Sequence, residues 1–157
     1  MVDWADFRRP QPDLARAGYD LLYQFGVGLA FLATTRSDGG PRLHPMCPVI
    51  DGTGLYGFIV PSPKRADLHR DRRYAMHSFP ADDNENALYL TGEAWTIGDA
   101  AIRADLEARF VAERKWNLLP EDFHEQELFE FGIERCLHTT TTRHGDPNPQ
   151  HSVWRAP

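Results

Sequence analysis

The residues best suited to chemistry lie in the segment Ser62-Pro63-Lys64-Arg65. A β-prone run ends at Val60, and Ser62 and Pro63 then suit the cap and the first position of a short helix. Two cations follow in the first helical turn, although the helix dipole favours negative charge there by about 0.3–1 kcal/mol. The segment is therefore either a phosphate site that uses Ser62, Lys64 and Arg65, or a solvated basic turn.

A second candidate is Arg42–Ile50, which we expect to return as the second strand of a hairpin. Pro45 and Pro48 cannot donate hydrogen bonds to a neighbouring strand, so this strand must bulge or lie at an edge. The backbone groups then free to pair with a flat, polar heterocycle belong to His44, Met46 and Cys47. The alternative is an edge strand that uses proline to block aggregation.

The elements that must position these segments alternate along the chain. Helical spacing covers 12–25, 63–71 and 99–116, and strand patterns cover 29–35, 42–50, 55–60, 74–79, 87–97 and 129–142. An irregular segment, 118–126, precedes the last of these strands, and a short terminal strand is expected around Val153. Short strands joined by tight turns predict a mainly β, α+β fold: a six-stranded antiparallel split β-barrel with peripheral helices, in one domain of residues 1–157.

Composition excludes several function classes. A net charge of −6 disfavours binding to nucleic acid or to an anionic membrane surface. Cys47 and Cys136 are too few for a disulfide framework or a zinc site, and the histidines show no metal-ligand spacing, so we expect no metal. The charged start of the chain does not resemble an export signal and no window is apolar enough to span a membrane, so we expect a cytoplasmic protein.

Seven motifs, taken in order, resemble the pyridoxamine 5′-phosphate oxidase-like group of FMN-binding split barrels. They are Leu29-Ala-Phe-Leu-Ala-Thr-Thr35, Ser37-Asp-Gly-Gly-Pro41, Arg42-Leu-His-Pro-Met46, Leu55-Tyr-Gly-Phe-Ile-Val60, Ser62-Pro-Lys64, Leu68-His-Arg-Asp-Arg-Arg73 and Leu88-Tyr-Leu-Thr-Gly-Glu-Ala94. The resemblance covers about half of the chain, residues 20–97. It implies a homodimer that holds FMN at the subunit interface.

The resemblance also assigns site residues. Along the flavin ring it places His44, Pro45, Met46, Cys47 and Pro48; near the ring or ribityl chain it places Phe58 and Ile59; at the phosphate it places Ser62 and Lys64, with Arg65 compensating for a missing arginine. Asn86 falls near the position of a ring-contacting glutamine. Trp154 either closes over the neighbouring subunit's cofactor or packs within a terminal strand.

Departures from the family pattern bear on the activity. Pro63 and His44 stand where arginines are expected, and Val49 stands where a lysine helps to hold a substrate phosphate. These losses argue against vitamin B6 oxidation. The sequence predicts an FMN-dependent oxidoreductase for an unknown small molecule, with no catalytic side chain assigned. The alternatives are a deazaflavin-dependent reductase and a non-catalytic binder, either a flavin carrier or a haem protein with His44 as axial ligand.

Overall fold

The computed structural model of the chain describes residues 1–114 and 123–157. Within these ranges the helices are α1 (Trp4–Arg8), α2 (Pro12–Leu22), α3 (Pro63–Arg70) and α4 (Ala100–Arg114). The strands are β1 (Ala30–Thr35), β2 (Pro41–Met46), β3 (Pro48–Ile50), β4 (Leu55–Ile59), β5 (Arg73–Ser78), β6 (Ala87–Thr96), β7 (Glu127–Thr140) and β8 (Gln150–Arg155). The end of the helix predicted over 99–116 and residues 118–122 of the predicted irregular segment lie outside the described residues.

All of these strands belong to one antiparallel sheet. Its order is β2-β1-β5-β6-β7-β4-β3, and β8 pairs with the second half of β7. The two strands at the ends of this path, β2 and β3, are consecutive in the chain and joined by the single residue Cys47. The sheet therefore curls into a barrel that is split beside this joint, which confirms the predicted α+β split barrel.

The described residues form eight strands, whereas the sequence predicted six. The run predicted as one strand over 42–50 is two, because Cys47 falls outside both ladders and Pro48 has no N–H to continue one. The other additional strand is β8, the short terminal strand expected around Val153, in which Trp154 lies opposite Cys136 of β7. The division at Cys47 comes from pairing between distant segments, which a local sequence pattern does not encode.

The main core fills the inside of the barrel. Its largest fully buried side chains include Leu32, Met76, Leu90 and Phe131. Helix α2 packs closely on this core, since a β-carbon at Gly18 would lie 3.0 Å from the Leu88 side chain. A second cluster lies where α4 packs beside β3 and β4, and its members are Val49, Tyr56, Leu106, Phe110, Phe123 and Leu128. Among the described residues, no helix is both long enough and apolar enough to cross a membrane.

The opposite side of the sheet carries partly exposed apolar side chains. Cross-strand partners share a face, and the pairings Leu43 with Ala33, Ala33 with Ala75, and Tyr89 with Leu137 place these residues together. We define the outer sheet face as Phe31, Ala33, Leu43, Ala75, Tyr89, Leu137 and Val153. Leu43 and Val153 are 63% and 53% exposed. This face extends across β2, β1, β5, β6, β7 and β8.

Candidate functional site

Helix α3 packs against strand β1 and reaches the neighbouring strand β2 through side chains at two points. Near its middle, Asp67 accepts a hydrogen bond from Arg42 Nε at 2.6 Å. In its first turn, Lys64 Nζ donates to the Pro45 carbonyl at 3.4 Å. His44 lies between these two contact points along β2 and is half-buried. The start of α3 is therefore fixed beside the joint between β2 and β3.

Asp67 is the anchor of this arrangement, a role that was not predicted from the sequence. Its carboxylate is buried and accepts hydrogen bonds from Thr34 Oγ1 at 2.9 Å, Arg42 Nε at 2.6 Å and Arg70 at 3.1 Å. Burial alone would raise the pKa of Asp67, but these hydrogen bonds outweigh it and hold the pKa below its usual range. The available signal was that Asp67 is the one acidic residue in Pro63–Arg70.

Lys64 is a half-buried cation that lacks an acidic partner within residues 1–114 and 123–157. None of the ion pairs in those ranges includes it, and its hydrogen-bond acceptor is a neutral carbonyl. Burial lowers the pKa of Lys64, while the neighbouring Cys47 acts in the opposite direction. A partly desolvated ammonium at a helix start is stabilised by an outside anion, which would offset the cost of its burial. The donor set at this position fits a phosphate.

Arg65 and Ser62 are placed differently from the predicted phosphate ligands. Arg65 donates to the Glu125 carbonyl at 2.7 Å and lies 3.8 Å from the Glu127 carboxylate, so it faces β7. Ser62 is the N-cap of α3, as predicted, and Pro63 occupies the first turn. The Ser62 hydroxyl, however, donates to the Val60 carbonyl at 2.8 Å instead of capping the helix. Of the two adjacent cations Lys64 and Arg65, Lys64 is thus the one that faces β2.

The free edge of β2 differs from the predicted one. Pro45 has no N–H and its carbonyl accepts from Lys64, so its backbone faces away from β1. Because backbone direction alternates along an antiparallel strand, His44 and Met46 direct their N–H groups toward β1. They therefore do not offer the free donors that the sequence analysis expected. The backbone that faces this edge is the Pro45 carbonyl, which accepts from Lys64, and the joint at Cys47, a half-exposed residue.

The residues predicted near the ring or ribityl chain pack against protein. Phe58 makes edge-to-face contacts with Phe110 and Phe123 at 5.8 and 5.1 Å between ring centroids. The Ile59 side chain is 1% exposed and Met46 is 6% exposed, both within the main core. Pro48 is buried as well, so these residues support the corner from the protein interior.

Asn86 and Trp154 lie away from this corner within one chain. Asn86 precedes β6, which is separated from β2 by β1 and β5, and its amide oxygen accepts from the Thr141 N–H at 2.7 Å. The Trp154 ring packs on Phe7 at 4.9 Å and belongs to the edge of the main core. Within one chain Trp154 therefore packs as part of the terminal strand β8, and its predicted role at a neighbouring subunit's cofactor stays a prediction.

Four clefts on the described part of the chain lie away from this corner. Their volumes are 320, 320, 690 and 540 Å³, and none of the four is lined by residues 44–48 or 58–65. The described ranges also contain no group of three or more His, Cys, Asp or Glu side chains arranged to hold a metal ion. The corner formed by Pro45, Cys47, Ser62 and Lys64, which we call the Lys64 corner, is therefore an edge site.

Comparison with known proteins gives structural relatives only. No family model matches the sequence, and no curated protein matches it either. A putative pyridoxamine 5′-phosphate oxidase from Listeria innocua aligns with a TM-score of 0.61 at 19% identity, over 75% of this chain and 91% of that one. A haem-binding protein from Mycobacterium smegmatis aligns with 0.64 at 15%, over 88% of this chain but only 57% of that one.

An F420 reductase aligns with a TM-score of 0.58 at 22% identity, over 76% of this chain and 95% of that one. These relatives differ in what their names say they bind or do, whereas their fold is shared. Together with the sheet order and the joint at Cys47, they show that the chain has the split-barrel fold of the pyridoxamine 5′-phosphate oxidase-like proteins.

Proposed function

We propose that the chain binds FMN at the Lys64 corner and acts as a flavin-dependent oxidoreductase on a small molecule. The observation that carries this proposal is the half-buried Lys64 ammonium at the start of α3, without a carboxylate partner in the described residues. A phosphate at this position would accept a charge-assisted hydrogen bond from Lys64 and would lie at the positive end of the α3 helix dipole. The fold relatives add that this architecture includes a putative pyridoxamine 5′-phosphate oxidase.

In this proposal the residues of the chain bind FMN and fix its orientation. Bound FMN supplies hydride transfer at its ring. Lys64 fixes the phosphate end, the Pro45 carbonyl and the Cys47 joint border the ring, and the aromatic cluster of Phe58 keeps water from one side of the corner. The Asp67 anchor holds α3 against β2, so that the cation and the strand edge keep a fixed spacing.

A second copy of the chain is the proposed occupant of the outer sheet face. Its centre is mainly apolar, with the exposed His77 between Phe31 and Tyr89, whereas Arg73, Glu93 and Arg155 lie at one end of the same strands, an arrangement typical of an interface with a charged rim. Pro45 lies on the same side of β2 as Leu43, so this face is continuous with the Lys64 corner. A homodimer formed through it would complete the cofactor site from both subunits.

Leu43→Glu is expected to convert the dimer to monomers, because a carboxylate at a side chain now 63% exposed would be buried unpaired in the interface. Light scattering during size-exclusion chromatography measures the mass. Ile102→Glu on α4, where the wild-type side chain is 40% exposed, is the matched control and should leave the mass unchanged. A wild-type protein that is monomeric throughout a concentration series would contradict the proposed dimer.

The visible spectrum of the purified protein tests the cofactor. Expression in a host that makes both flavins and F420 should give a yellow protein with an oxidised-flavin spectrum, and acid release should yield FMN. The bound flavin should then be bleached by NADH or NADPH and recover with an electron acceptor. A protein that takes up no flavin on reconstitution would contradict FMN binding, and one whose flavin exchanges no electrons would contradict the oxidoreductase.

Two other cofactors remain as alternatives, because structural relatives include an F420 reductase and a haem-binding protein. F420 is a deazaflavin with a phosphate-linked tail, so it would use the same Lys64 cation. Haem would instead require an axial ligand, for which His44 is half-buried on β2. A Soret band that appears on haem addition and is lost in His44→Ala would favour haem over FMN.

A further inference from the structure

A separate cleft of 320 Å³ opens where α1, α2 and α4 meet the loop after β3. Ile50 and Asp51 form its floor at the end of β3, while Pro48 at the other end of that strand adjoins the Lys64 corner. The two sites therefore share no residue. The volume lies in the range of pockets that hold small molecules.

Three arginines from three helices line this cleft: Arg8 of α1, Arg16 of α2 and Arg109 of α4. All three are exposed, and no ion pair within residues 1–114 and 123–157 includes any of them. Arg109 donates to the Ile50 carbonyl at 3.3 Å, which holds it over the floor. Gathering like charges is electrostatically unfavourable, and a bound anion would offset this repulsion. We call this site the arginine cleft.

Asp51 is the carboxylate among the residues that line the arginine cleft. Its Oδ1 is already used, since it accepts from the Thr53 N–H and hydroxyl at 2.7 Å each and from the Gly54 N–H at 2.9 Å. Burial would raise the pKa of Asp51, but these hydrogen bonds outweigh it and lower the pKa, so the group stays charged. Three positive charges and one negative charge leave +2, which a dianion would balance.

One wall of the arginine cleft is aromatic. The Tyr19 ring is 39% exposed and stacks on Tyr23 with centroids 4.4 Å apart and an 8° angle between planes. The Tyr23 hydroxyl accepts from the Ile50 N–H at 3.0 Å, which ties this stack to the floor. The stack therefore supports Tyr19 in this orientation without a ligand, and a flat molecule can pack against the wall.

We propose that the arginine cleft is a binding site for a small planar dianion, such as an aromatic dicarboxylate or an aryl phosphate. Guanidinium groups bind carboxylate and phosphate oxygens in pairs, and the three arginines approach from different sides. Asp51 sets the ligand charge, and Tyr19 selects a ring over an extended chain. This site is independent of the FMN proposal.

Isothermal titration of the full-length protein at low salt tests the arginine cleft with isophthalate, benzoate and pyrophosphate as probes. Isophthalate is expected to bind at least about tenfold more tightly than benzoate, because only the dianion matches the charge of the cleft. It should also bind more tightly than pyrophosphate, which has no ring. The double variant R8Q/R16Q should weaken isophthalate binding at least about tenfold, whereas R72Q, at an exposed arginine outside the cleft, should not.

Three results would overturn the proposal: no saturable binding of isophthalate, equal affinity in R8Q/R16Q and wild type, or an equal loss in R72Q. Pyrophosphate that binds as tightly as isophthalate would overturn the selection of a ring, and Tyr19→Leu checks the same point. FMN affinity is expected to be unchanged in R8Q/R16Q, so the proposals for the Lys64 corner and for the arginine cleft are tested separately. Thermal unfolding of each variant shows whether a loss reflects misfolding.

Discussion

The Lys64→Glu variant is expected to bind FMN at least about 100-fold more weakly than the wild type. A charge-assisted hydrogen bond contributes about 1.5–3 kcal/mol, and reversing the side-chain charge adds repulsion between the new carboxylate and the phosphate. Lys64 is half-buried at the start of α3, and Arg65 beside it is already engaged by Glu125 and Glu127. No second cation of that turn is therefore placed to replace Lys64. Fluorescence titration of the apoprotein with FMN measures the loss.

Riboflavin provides the sharpest control for this result. It has the ring of FMN but no phosphate, so Lys64→Glu should change riboflavin affinity little if Lys64 contacts the phosphate. Arg72→Glu makes the same change of charge just beyond the other end of α3 and should leave FMN affinity near the wild-type value. An equal loss for FMN and riboflavin, or an equal loss in Arg72→Glu, would contradict a phosphate contact at Lys64.

The fold could be predicted largely because its signals are local. Turn residues between alternating runs predicted the strands β1, β4, β5 and β6 to within one or two residues of their bounds. The start of α3 was also predictable, since Ser62 and Pro63 have the chemistry of a cap and a first helical position. These features depend on residues that are adjacent in the sequence, so they can be read from the sequence alone.

The candidate site was less predictable because tertiary contacts decide which way its side chains point. Arg65 and Lys64 are adjacent and chemically alike, yet one faces β7 and the other faces Pro45. Besides Arg70 of the same helix, the partners of Asp67 are Thr34 and Arg42, which come from a hairpin more than twenty residues earlier in the chain. No local pattern distinguishes such an anchor from a solvated acid on a basic helix.

The strand over 42–50 shows where local and long-range information meet. Its two prolines correctly indicated that normal pairing would fail. They did not reveal that β2 and β3 would pair with different strands, β1 and β4, at opposite ends of the sheet. The break at Cys47 is therefore the feature that splits the barrel, and it places the half-exposed Cys47 beside Lys64.

Asp67→Ala is expected to reduce the free energy of unfolding by about 3 kcal/mol, since removing one partner of a buried ion pair leaves the other charge without its partner. Arg42 is 26% exposed and regains some water, which keeps the loss at the low end of that range. In a domain of this size the unfolding midpoint would fall by about 6–12 °C. Asp71→Ala removes the carboxylate of the C-cap residue of α3, which pairs with the exposed Arg73, and should have a much smaller effect.

The pH dependence of stability separates the charge of Asp67 from its packing. The folded-state pKa of Asp67 lies below the unfolded value of about 3.9, so its contribution is complete above that pH and is lost as the pH falls through the folded pKa. The wild type should therefore lose stability more steeply below about pH 4 than Asp67→Asn, which keeps the shape but not the charge. Urea unfolding across this pH range measures both. Parallel acid limbs would mean that Asp67 holds α3 against β2 through packing alone, and the proposed charge anchor would be wrong.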